Sequence, residues 1–410
     1  MKKELAISFF WKALQTFGKQ GFFFLVFILA SYLLSQQEFG IYNYVMASIV
    51  IFTLLCDFGI SQATARHIAM RRENSEVSSE VIIFSMSAVV FLLSLIFIII
   101  IFFFGHLFFK ENFNYVLYAL PLIFLIPLNS IQEGLYIGFE KFKKLSLIVI
   151  ISGTLNILLS YVLIKNYGLV GAIGAQILFY FVSLILLIFL HGKWSFYFKT
   201  NIVKDILKYS VWIGISGLGY ILFSRIDIIV LGYYGYIKEI ANYEIINKIF
   251  SLMIIPTYIF SSVIFPKISL LFNQDNREKI WNLYKKTLIF TIFMSGSIIL
   301  FFLILFEYII KILFSGYDVF ELKWIFLLLL PLFFTQMITA TISSGFSVPT
   351  GHAKLNMRFL LISGLILVPL VIYSAIHYGF RGVIISTVLV KLVSDILYIY
   401  IYTTIVKWKK

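Results

Sequence analysis

Two lysines lie in a stretch of sequence that is long and apolar enough to enter a membrane. Lys12 and Lys19 belong to residues 5–35, where Ser8, Lys12, Gln15 and Lys19 recur at helical spacing among Phe, Leu and Ile. An ammonium held inside a membrane helix costs about 3 kcal/mol or more, so it is kept where it faces water, an opposite charge or an anionic ligand. The stripe predicts that these lysines bind an anion or pair with an acid of another helix.

The depth of the two lysines differs. The uninterrupted apolar part, residues 21–34, would cover about 21 Å as a helix, less than the ~30 Å of hydrocarbon in a bilayer. The helix must therefore continue back through Lys19, which lies about 20 Å from its start, near mid-membrane. Lys12 lies about 9 Å from the start, where its side chain can extend to water. Lys19 is the leading candidate for anion binding, and Asp57, Glu133 or the substrate could neutralise it.

The composition of the chain is that of an integral membrane protein. Of its 410 residues, 61% are hydrophobic and 13% are charged, and the mean hydropathy is +0.99. Soluble proteins carry about 25% charged residues and cannot bury so much apolar surface. Cys56 is the single cysteine, which leaves no intrachain disulfide and no cysteine metal cluster. We predict an all-α membrane protein without a metal or cofactor.

Apolar segments long enough to span a bilayer recur about twelve times. The connections between them are too short to form a separate soluble domain. The predicted spans are residues 6–34, 41–66, 80–104, 116–138, 146–164, 169–190, 209–234, 241–266, 284–306, 323–345, 357–376 and 383–406.

Lysine and arginine are distributed unequally between the two ends of these helices. With the N-terminus in the cytoplasm, about 22 of the 33 Lys and Arg residues fall on the cytoplasmic side and about 6 on the outer side. Both termini are therefore predicted to be cytoplasmic. The formal net charge of +14 reflects this asymmetry, so nucleic acid is not an expected partner.

The chain contains an internal repeat. Residues 165–173 resemble residues 376–384, each just before the last helix of a six-helix set, and residues 38–42 resemble residues 239–243, each after the first helix. Two six-helix units of the same orientation imply lobes related by a pseudo-twofold axis along the membrane normal, with a substrate site between them. The predicted divisions are an N-terminal lobe at 1–190, a cytoplasmic linker at 191–208 and a C-terminal lobe at 209–410.

Two acidic residues of the predicted spans are candidates for proton or ion coupling. Glu133 has no local basic partner on its own helix, and Asp57 lies on one face with Thr53 and Ser61. Hydrocarbon favours the neutral form of a carboxyl group, so Glu133 can bind and release a proton. The alternative for Glu133 is a protonated carboxyl group with a structural role.

Basic residues of the predicted spans also have two interpretations each. Lys248 and Asn247 share a polar surface that could bind substrate, but Glu244 lies one turn from Lys248 and could neutralise it. Arg66 lies at a cytoplasmic helix end, where its side chain could bind a ligand or extend to lipid headgroups.

The remaining charged residues are candidates for gating or structural pairs. Arg225 and Asp227 lie near the outer end of the seventh span and could form a structural pair or a contact that closes the lobes. Lys391 and Asp395 are one turn apart on the twelfth span and could neutralise each other.

Nothing in the sequence resembles a catalytic site. The chain has no His/Cys/Asp/Glu cluster at metal-ligand spacing, no phosphate-binding P-loop and no GxSxG motif. We therefore do not expect an enzyme.

Several segments together resemble one family of transporters. They are SRIDIIVLGYYGYIKEIANYEIINKIF at 224–250, SSVIFPKISLLF at 261–272, ILFSGYD at 312–318 and the YGxxG turn before the last helix. With twelve spans in two halves, the chain resembles polysaccharide flippases, the O-antigen and capsule repeat-unit translocases. These belong to the multidrug/oligosaccharidyl-lipid/polysaccharide (MOP) exporter superfamily, whose fold is that of the multidrug exporters called MATE.

The resemblance implies a function and a location. Such proteins move undecaprenyl-diphosphate-linked oligosaccharides across the bacterial inner membrane by alternating access, beside polymerase and chain-length proteins of the same pathway. Lysines of the first and eighth helices would line a cationic cavity for the diphosphate, here Lys12, Lys19 and Lys248, with Arg66 and Asn247 as further candidates. The lipid-linked oligosaccharide and membrane lipids are the expected partners.

Two other functions remain open. A MATE-like exporter of cationic drugs would carry an acidic residue in the first helix, where this chain has lysines. A membrane glycan polymerase or ligase would need a large outer loop, whereas the longest predicted outer loop, near residues 307–321, has about 15 residues.

Overall fold

The structure is a computed structural model that describes residues 2–70, 79–192 and 195–408, with the side chains of 10–70, 79–192 and 195–407. Within these ranges the regular structure is helical throughout, as the all-α prediction requires. The α-helices are α1 (Lys2–Leu33), α2 (Gln36–Asp57), α3 (Ile60–Met70), α4 (Ser79–Phe109), α5 (Phe113–Ala119), α6 (Pro121–Gly138), α7 (Phe142–His191), α8 (Thr200–Tyr233), α9 (Ile237–Met253), α10 (Ile255–Asn273), α11 (Arg277–Leu313), α12 (Val319–Ile342) and α13 (Ala353–Trp408). A 3-10 turn, Lys110–Asn112, precedes α5, and a π-helical turn, Ser343–Ser347, follows α12.

Nine helical segments in the described part of the chain are long and apolar enough to cross a membrane. Two of them each contain two of the spans predicted from the sequence, because α7 has 50 residues and α13 has 56. A straight helix of 50 residues would extend about 75 Å, more than twice the hydrocarbon thickness. The number of spans and the cytoplasmic side of both termini stay predictions.

Both long helices reverse direction at a single glycine. Gly168 in α7 has φ 53° and ψ −131°, and Gly379 in α13 has φ 61° and ψ −153°. Only glycine adopts these angles without strain. A Cβ placed on Gly171 would overlap the carbonyl group of Leu163, which in a straight helix would be two turns away. The repeated turn predicted from the sequence is confirmed, and each long helix is a hairpin of two arms.

The chain folds into two compact units, Met1–Leu218 and Gly219–Lys410. The boundary between the units falls inside α8. The C-terminal part of the predicted linker belongs to the same helix, and its Ile202, Val203 and Ile206 are buried at helical spacing. Linker residues 193 and 194 lie outside the described residues. The predicted lobe boundaries therefore stay a prediction.

In the N-terminal unit, α1 packs along α7, and α6 packs against α3, α4 and α7. Its core is apolar and lies between these helices. Members of the core include Ile60, Met86, Val90, Ile131, Leu135, Leu145 and Ile206. Because α6 has partners on several sides, its polar side chains are held in defined positions.

In the C-terminal unit, α12 packs against α9, α10, α11 and α13. A cluster of tyrosines and apolar residues forms its core, with Ile268, Tyr284, Ile342, Phe346, Tyr398 and Tyr402 as members. The Tyr284 hydroxyl lies 2.6 Å from the Thr403 hydroxyl. Hydrogen bonding of this kind lets tyrosine be buried without leaving its polar atom unsatisfied.

Candidate substrate-binding site

Lys19 is paired with Glu133. The Lys19 Nζ lies 2.6 Å from Glu133 Oε1, which joins α1 to α6, and the two side chains are 28% and 16% exposed. Of the two acidic partners considered from the sequence, Asp57 and Glu133, the one that contacts Lys19 is Glu133. Neither side chain of the pair is completely buried.

Lys12 extends the same cluster along α1. Its Nζ donates a hydrogen bond to Gln15 Oε1 at 2.9 Å and lies 5.6 Å from the centre of the Phe142 ring. Lys12 also interacts electrostatically with Lys19 and Glu133. The predicted stripe is thus formed by Lys12, Gln15 and Lys19, while the Ser8 side chain lies outside the described residues. With two ammonium groups and one carboxylate, this group of side chains has a net positive charge.

Tyr180 and Asn129 complete the surroundings of the pair. Asn129 lies one turn before Glu133 on α6, and its Nδ2 donates to the carbonyl oxygens of Leu125 and Tyr180, both at 2.8 Å. This bond ties α6 to the second arm of α7. The Tyr180 phenol interacts electrostatically with Lys19 and Glu133. We call Lys12, Gln15, Lys19, Glu133 and Tyr180 the N-terminal cluster.

Asp57 and Arg66 lie elsewhere in the same unit. Asp57 accepts hydrogen bonds from the Ser61 amide at 3.0 Å and the Ser61 hydroxyl at 2.9 Å. These bonds close the bend between α2 and α3, where Phe58 has φ 37° and Gly59 has φ 79°. The Arg66 guanidinium lies 4.1 Å from the centre of the Tyr209 ring. The structure thus gives Asp57 a helix-bend contact and Arg66 a cation–π contact.

In the C-terminal unit Glu244 pairs with Arg225. The Arg225 Nη1 lies 3.2 Å and 3.3 Å from the two carboxylate oxygens of Glu244, and Asn247 Nδ2 donates to Glu244 Oε1 at 3.1 Å. Glu244 thus binds the arginine of α8. Lys248 interacts electrostatically with both Glu244 and Arg225, so neutralisation of Lys248 by Glu244 stays a prediction. We call Arg225, Glu244, Asn247 and Lys248 the C-terminal cluster.

A second ion pair of this unit is almost completely buried. Lys391 Nζ lies 3.4 Å from Asp227 Oδ2, and the two side chains are 7% and 2% exposed. The same oxygen accepts a hydrogen bond from the Tyr243 hydroxyl at 2.7 Å. The expected Lys391–Asp395 pair is corrected, because Asp395 accepts a hydrogen bond from Thr335 of α12 at 3.1 Å. Arg225 therefore binds Glu244 of α9, whereas Asp227 binds Lys391 of α13 and Tyr243 of α9.

Tyr243 was not among the residues singled out from the sequence. Its bond to Asp227 joins α9 to α8, and spacing along one helix does not reveal such a contact. The internal repeat could have pointed to Tyr243, because it occupies the position of Tyr42 in the first half of the chain. Both tyrosines are buried. In the described part of the chain, no group of three or more His, Cys, Asp or Glu residues is placed to hold a metal ion.

A family match covers the N-terminal cluster and part of the C-terminal unit. The model described as polysaccharide biosynthesis protein matches residues 5–272, more than half of the chain. The chain belongs to this family. A second model, MatE, matches residues 213–373.

Curated relatives of this family member include a Shigella dysenteriae protein assigned as an O-antigen transporter. It is 21% identical over 376 residues, covering 88% of this chain and 91% of the relative. An uncharacterized membrane protein of Methanocaldococcus jannaschii is 27% identical over 251 residues. That match covers 54% of this chain, which spans 60% of the length of that relative.

Two solved structures share the fold of this family member. The lipid II flippase MurJ, in an inward closed conformation, superimposes with a TM-score of 0.75 at 18% identity, covering 96% of this chain and 87% of MurJ. An inward-facing multidrug resistance transporter of the MATE family superimposes with a TM-score of 0.72 at 20% identity, covering 97% of this chain and 95% of the transporter. The predicted MOP-superfamily fold is confirmed, and the chain is a multi-pass membrane protein.

Proposed function

We propose that the protein is a flippase that moves undecaprenyl-diphosphate-linked oligosaccharide repeat units, of the O-antigen or capsule type, across the bacterial inner membrane. The observation that carries the proposal is the N-terminal cluster, in which Lys12 and Lys19 surround one carboxylate, Glu133. A net positive charge on membrane helices favours an anionic ligand. Membership in the polysaccharide biosynthesis family and the Shigella relative support a lipid-linked glycan as that ligand.

Binding of the diphosphate proceeds by exchange of ion-pair partners. In the free protein Glu133 occupies the Lys19 ammonium at 2.6 Å. A diphosphate carries more charge and more acceptor oxygens than a carboxylate, so it displaces Glu133 and forms charge-assisted hydrogen bonds with Lys19 and Lys12. The displaced carboxylate would be left without a cation inside the membrane, which is costly unless it binds a proton. Glu133 is for this reason the leading candidate for proton or ion coupling, with Asp57 as the other candidate.

Neutral side chains of both clusters suit the sugar part of the substrate. Gln15 and Tyr180 lie beside the ammonium groups of the N-terminal cluster, and Asn247 is the neutral member of the C-terminal cluster. Amide and phenol groups both donate and accept hydrogen bonds, as sugar hydroxyls require. Lys248 supplies a further cation, and Arg66 can meet the phosphate or a lipid headgroup.

Alternating access moves the head of the substrate while the polyprenyl chain remains in lipid. Buried pairs such as Lys391–Asp227 hold the helices of one unit together during this movement. Polymerase and chain-length proteins of the same pathway would receive the product at the outer face. The protein needs no cofactor for this transfer, because no covalent bond of the substrate changes.

Replacement of Lys19 by alanine tests the proposal. In a bacterium that lacks its own repeat-unit flippase, the K19A variant should abolish surface glycan while the amount of membrane-inserted protein stays at the wild-type level. The matched control is Lys143→Ala, an exposed lysine beside the Trp11 ring, which should leave surface glycan unchanged. Wild-type levels of surface glycan in K19A would contradict the site.

A second candidate function is export of cationic drugs. The MatE match over residues 213–373 and the fold of the MATE transporter favour it. Expression of the wild-type protein in a dye-sensitive strain distinguishes the two functions. Resistance to cationic dyes without any effect on surface glycan would favour drug export, and the net positive N-terminal cluster argues against that result.

A further inference from the structure

A cavity of about 190 Å³ lies within the N-terminal unit, apart from the N-terminal cluster. Helices α4 and α6 and the second arm of α7 form its walls. Its apolar lining includes Ile83, Phe84, Leu128, Leu135, Leu184 and Ile188. Apolar cavities of about 150 Å³ already admit a hydrocarbon the size of benzene. This cavity is therefore large enough, and apolar enough, for a segment of hydrocarbon chain.

The charged residues of the cavity lie at one end, in the first turn of α4 and at the end of α7. There His191 Nε2 lies 3.0 Å from Glu80 Oε1, and Ser195 and Phe196 line the same cavity. We call this end, which the charge distribution assigns to the cytoplasm, the mouth. Ser87 and Gln132 add polar groups to the remaining, mostly apolar lining. A mostly apolar cavity with charged groups at its cytoplasmic end matches the order of groups in a membrane lipid.

The wall formed by α7 continues into the outer surface of the unit. Leu184 and Ile188 line the cavity, whereas the next residues, Ile185 and Phe189, point outward, and Phe189 is 77% exposed. Exposed Phe and Ile on a membrane helix face lipid hydrocarbon. The face of α7 next to the cavity wall is therefore in contact with lipid hydrocarbon.

Two lysine residues lie beside the mouth. Lys144 Nζ lies 3.4 Å from the carbonyl oxygen of Leu190, the neighbour of His191. The amide of Lys199 donates to the Ser85 hydroxyl at 3.1 Å, which fixes Lys199 next to the cavity-lining Phe84. Lysines at a cytoplasmic membrane surface attract anionic headgroups. These two lysines outnumber the Glu80 carboxylate at the mouth, and this excess of positive charge favours a phosphate.

We propose that this cavity binds an anionic phospholipid, with one acyl chain between α4, α6 and α7 and the phosphate beside Lys144 and Lys199. The lipid stays bound and is not the transported substrate. It packs against α6 at Gln132, which lines the cavity, while the adjacent Glu133 faces Lys19. Occupancy therefore stabilises the helix that carries Glu133, independently of the function proposed above.

Native mass spectrometry of the purified full-length chain tests the inference, with phosphatidylglycerol and phosphatidylethanolamine as probes. The wild type should retain phosphatidylglycerol about fivefold more tightly than phosphatidylethanolamine. Ser87→Phe places a ring in the cavity and should weaken retention of phosphatidylglycerol by about tenfold or more, because the acyl chain is excluded. The matched control is Leu92→Phe, which adds the same ring on an outward-facing position of α4.

The headgroup is tested separately at an exposed position, where substitution does not disturb folding. Lys144→Gln should reduce the preference for phosphatidylglycerol severalfold, whereas Lys143→Gln, with the same loss of charge, should not. Equal retention by wild type and Ser87→Phe, or equal preference in the two lysine variants, would overturn the proposal. Displacement of phosphatidylglycerol by a polyprenyl phosphate at equal concentration would also overturn it, by assigning the cavity to the chain of a polyprenyl lipid.

Discussion

The Lys19 ammonium and the Glu133 carboxylate lie 2.6 Å apart, although 114 positions separate them in the sequence. Each group neutralises the charge of the other, so a ligand that binds one of them leaves the other without its ion-pair partner. An anion that binds Lys19 would therefore compete with the Glu133 carboxylate. Removal of the Glu133 charge should favour binding of an anionic ligand.

The first prediction concerns the charge of Glu133. In proteoliposomes, Glu133→Gln should bind a lipid-linked oligosaccharide about tenfold more tightly than the wild type, because a neutral amide does not compete for the Lys19 ammonium. The measurement is the substrate concentration that gives half of the maximal rate of flipping.

Asp57 supplies the control for this experiment. Its carboxylate accepts hydrogen bonds from Ser61 and closes a helix bend, so Asp57→Asn should keep the substrate affinity of the wild type. If Asp57→Asn tightens binding and Glu133→Gln does not, Glu133 is not the carboxylate that competes for Lys19 and the proposed exchange is wrong.

The second prediction concerns the buried pair of Asp227 and Lys391. Lys391→Met leaves Asp227 without its cation in a site that excludes water, and this should lower the free energy of unfolding by about 3–5 kcal/mol. Adding Asp227→Asn to the same chain should restore most of the loss, because the buried charge is removed. Thermal unfolding of the detergent-solubilised protein measures both effects.

An exposed pair in the same unit gives the comparison. Lys323 Nζ lies 2.9 Å from Glu307 Oε1, and both side chains are exposed. Lys323→Met should leave the unfolding temperature close to that of the wild type, since solvent screens such pairs. Equal destabilisation by Lys323→Met and Lys391→Met would mean that burial of the Asp227 pair has no energetic effect.

The third prediction concerns the two hairpin glycines. Gly168→Ala and Gly379→Ala should each lower the free energy of unfolding by about 1–3 kcal/mol, because alanine is strained at their backbone angles. Gly174→Ala lies within the second arm of α7 with open space around it and should be neutral or stabilising by about 0.5–1 kcal/mol. Unfolding temperatures that fall equally in all three variants would contradict this account.

The membrane class and the repeated turns could be predicted from the sequence because both depend on local patterns. Long apolar segments report span positions, and the Tyr-Gly pairs at 167–168 and 378–379 mark the turns. The polar stripe of Lys12, Gln15 and Lys19 was likewise readable from helical spacing. Each of these signals lies within a few residues of the feature that it predicts.

The partners of the charged residues could not be read in this way. Spacing within one helix suggested that Lys391 would pair with Asp395 and Lys248 with Glu244, yet the carboxylates of Asp227 and Glu244 bind cations from other helices. Long side chains reach across helix contacts, and desolvation inside the protein favours the closest opposite charge. The partner of a buried charge therefore depends on how the helices pack, and the sequence of one helix does not reveal this packing.

The single-glycine turns also determine how the chain can be made. In α7 and in α13 the first arm is joined to the second by a turn at one glycine, with no intervening loop. The first arm therefore has no flexible segment behind it that could remain at the membrane surface while the second arm is synthesised. We expect each pair of arms to enter the membrane together, as one helical hairpin.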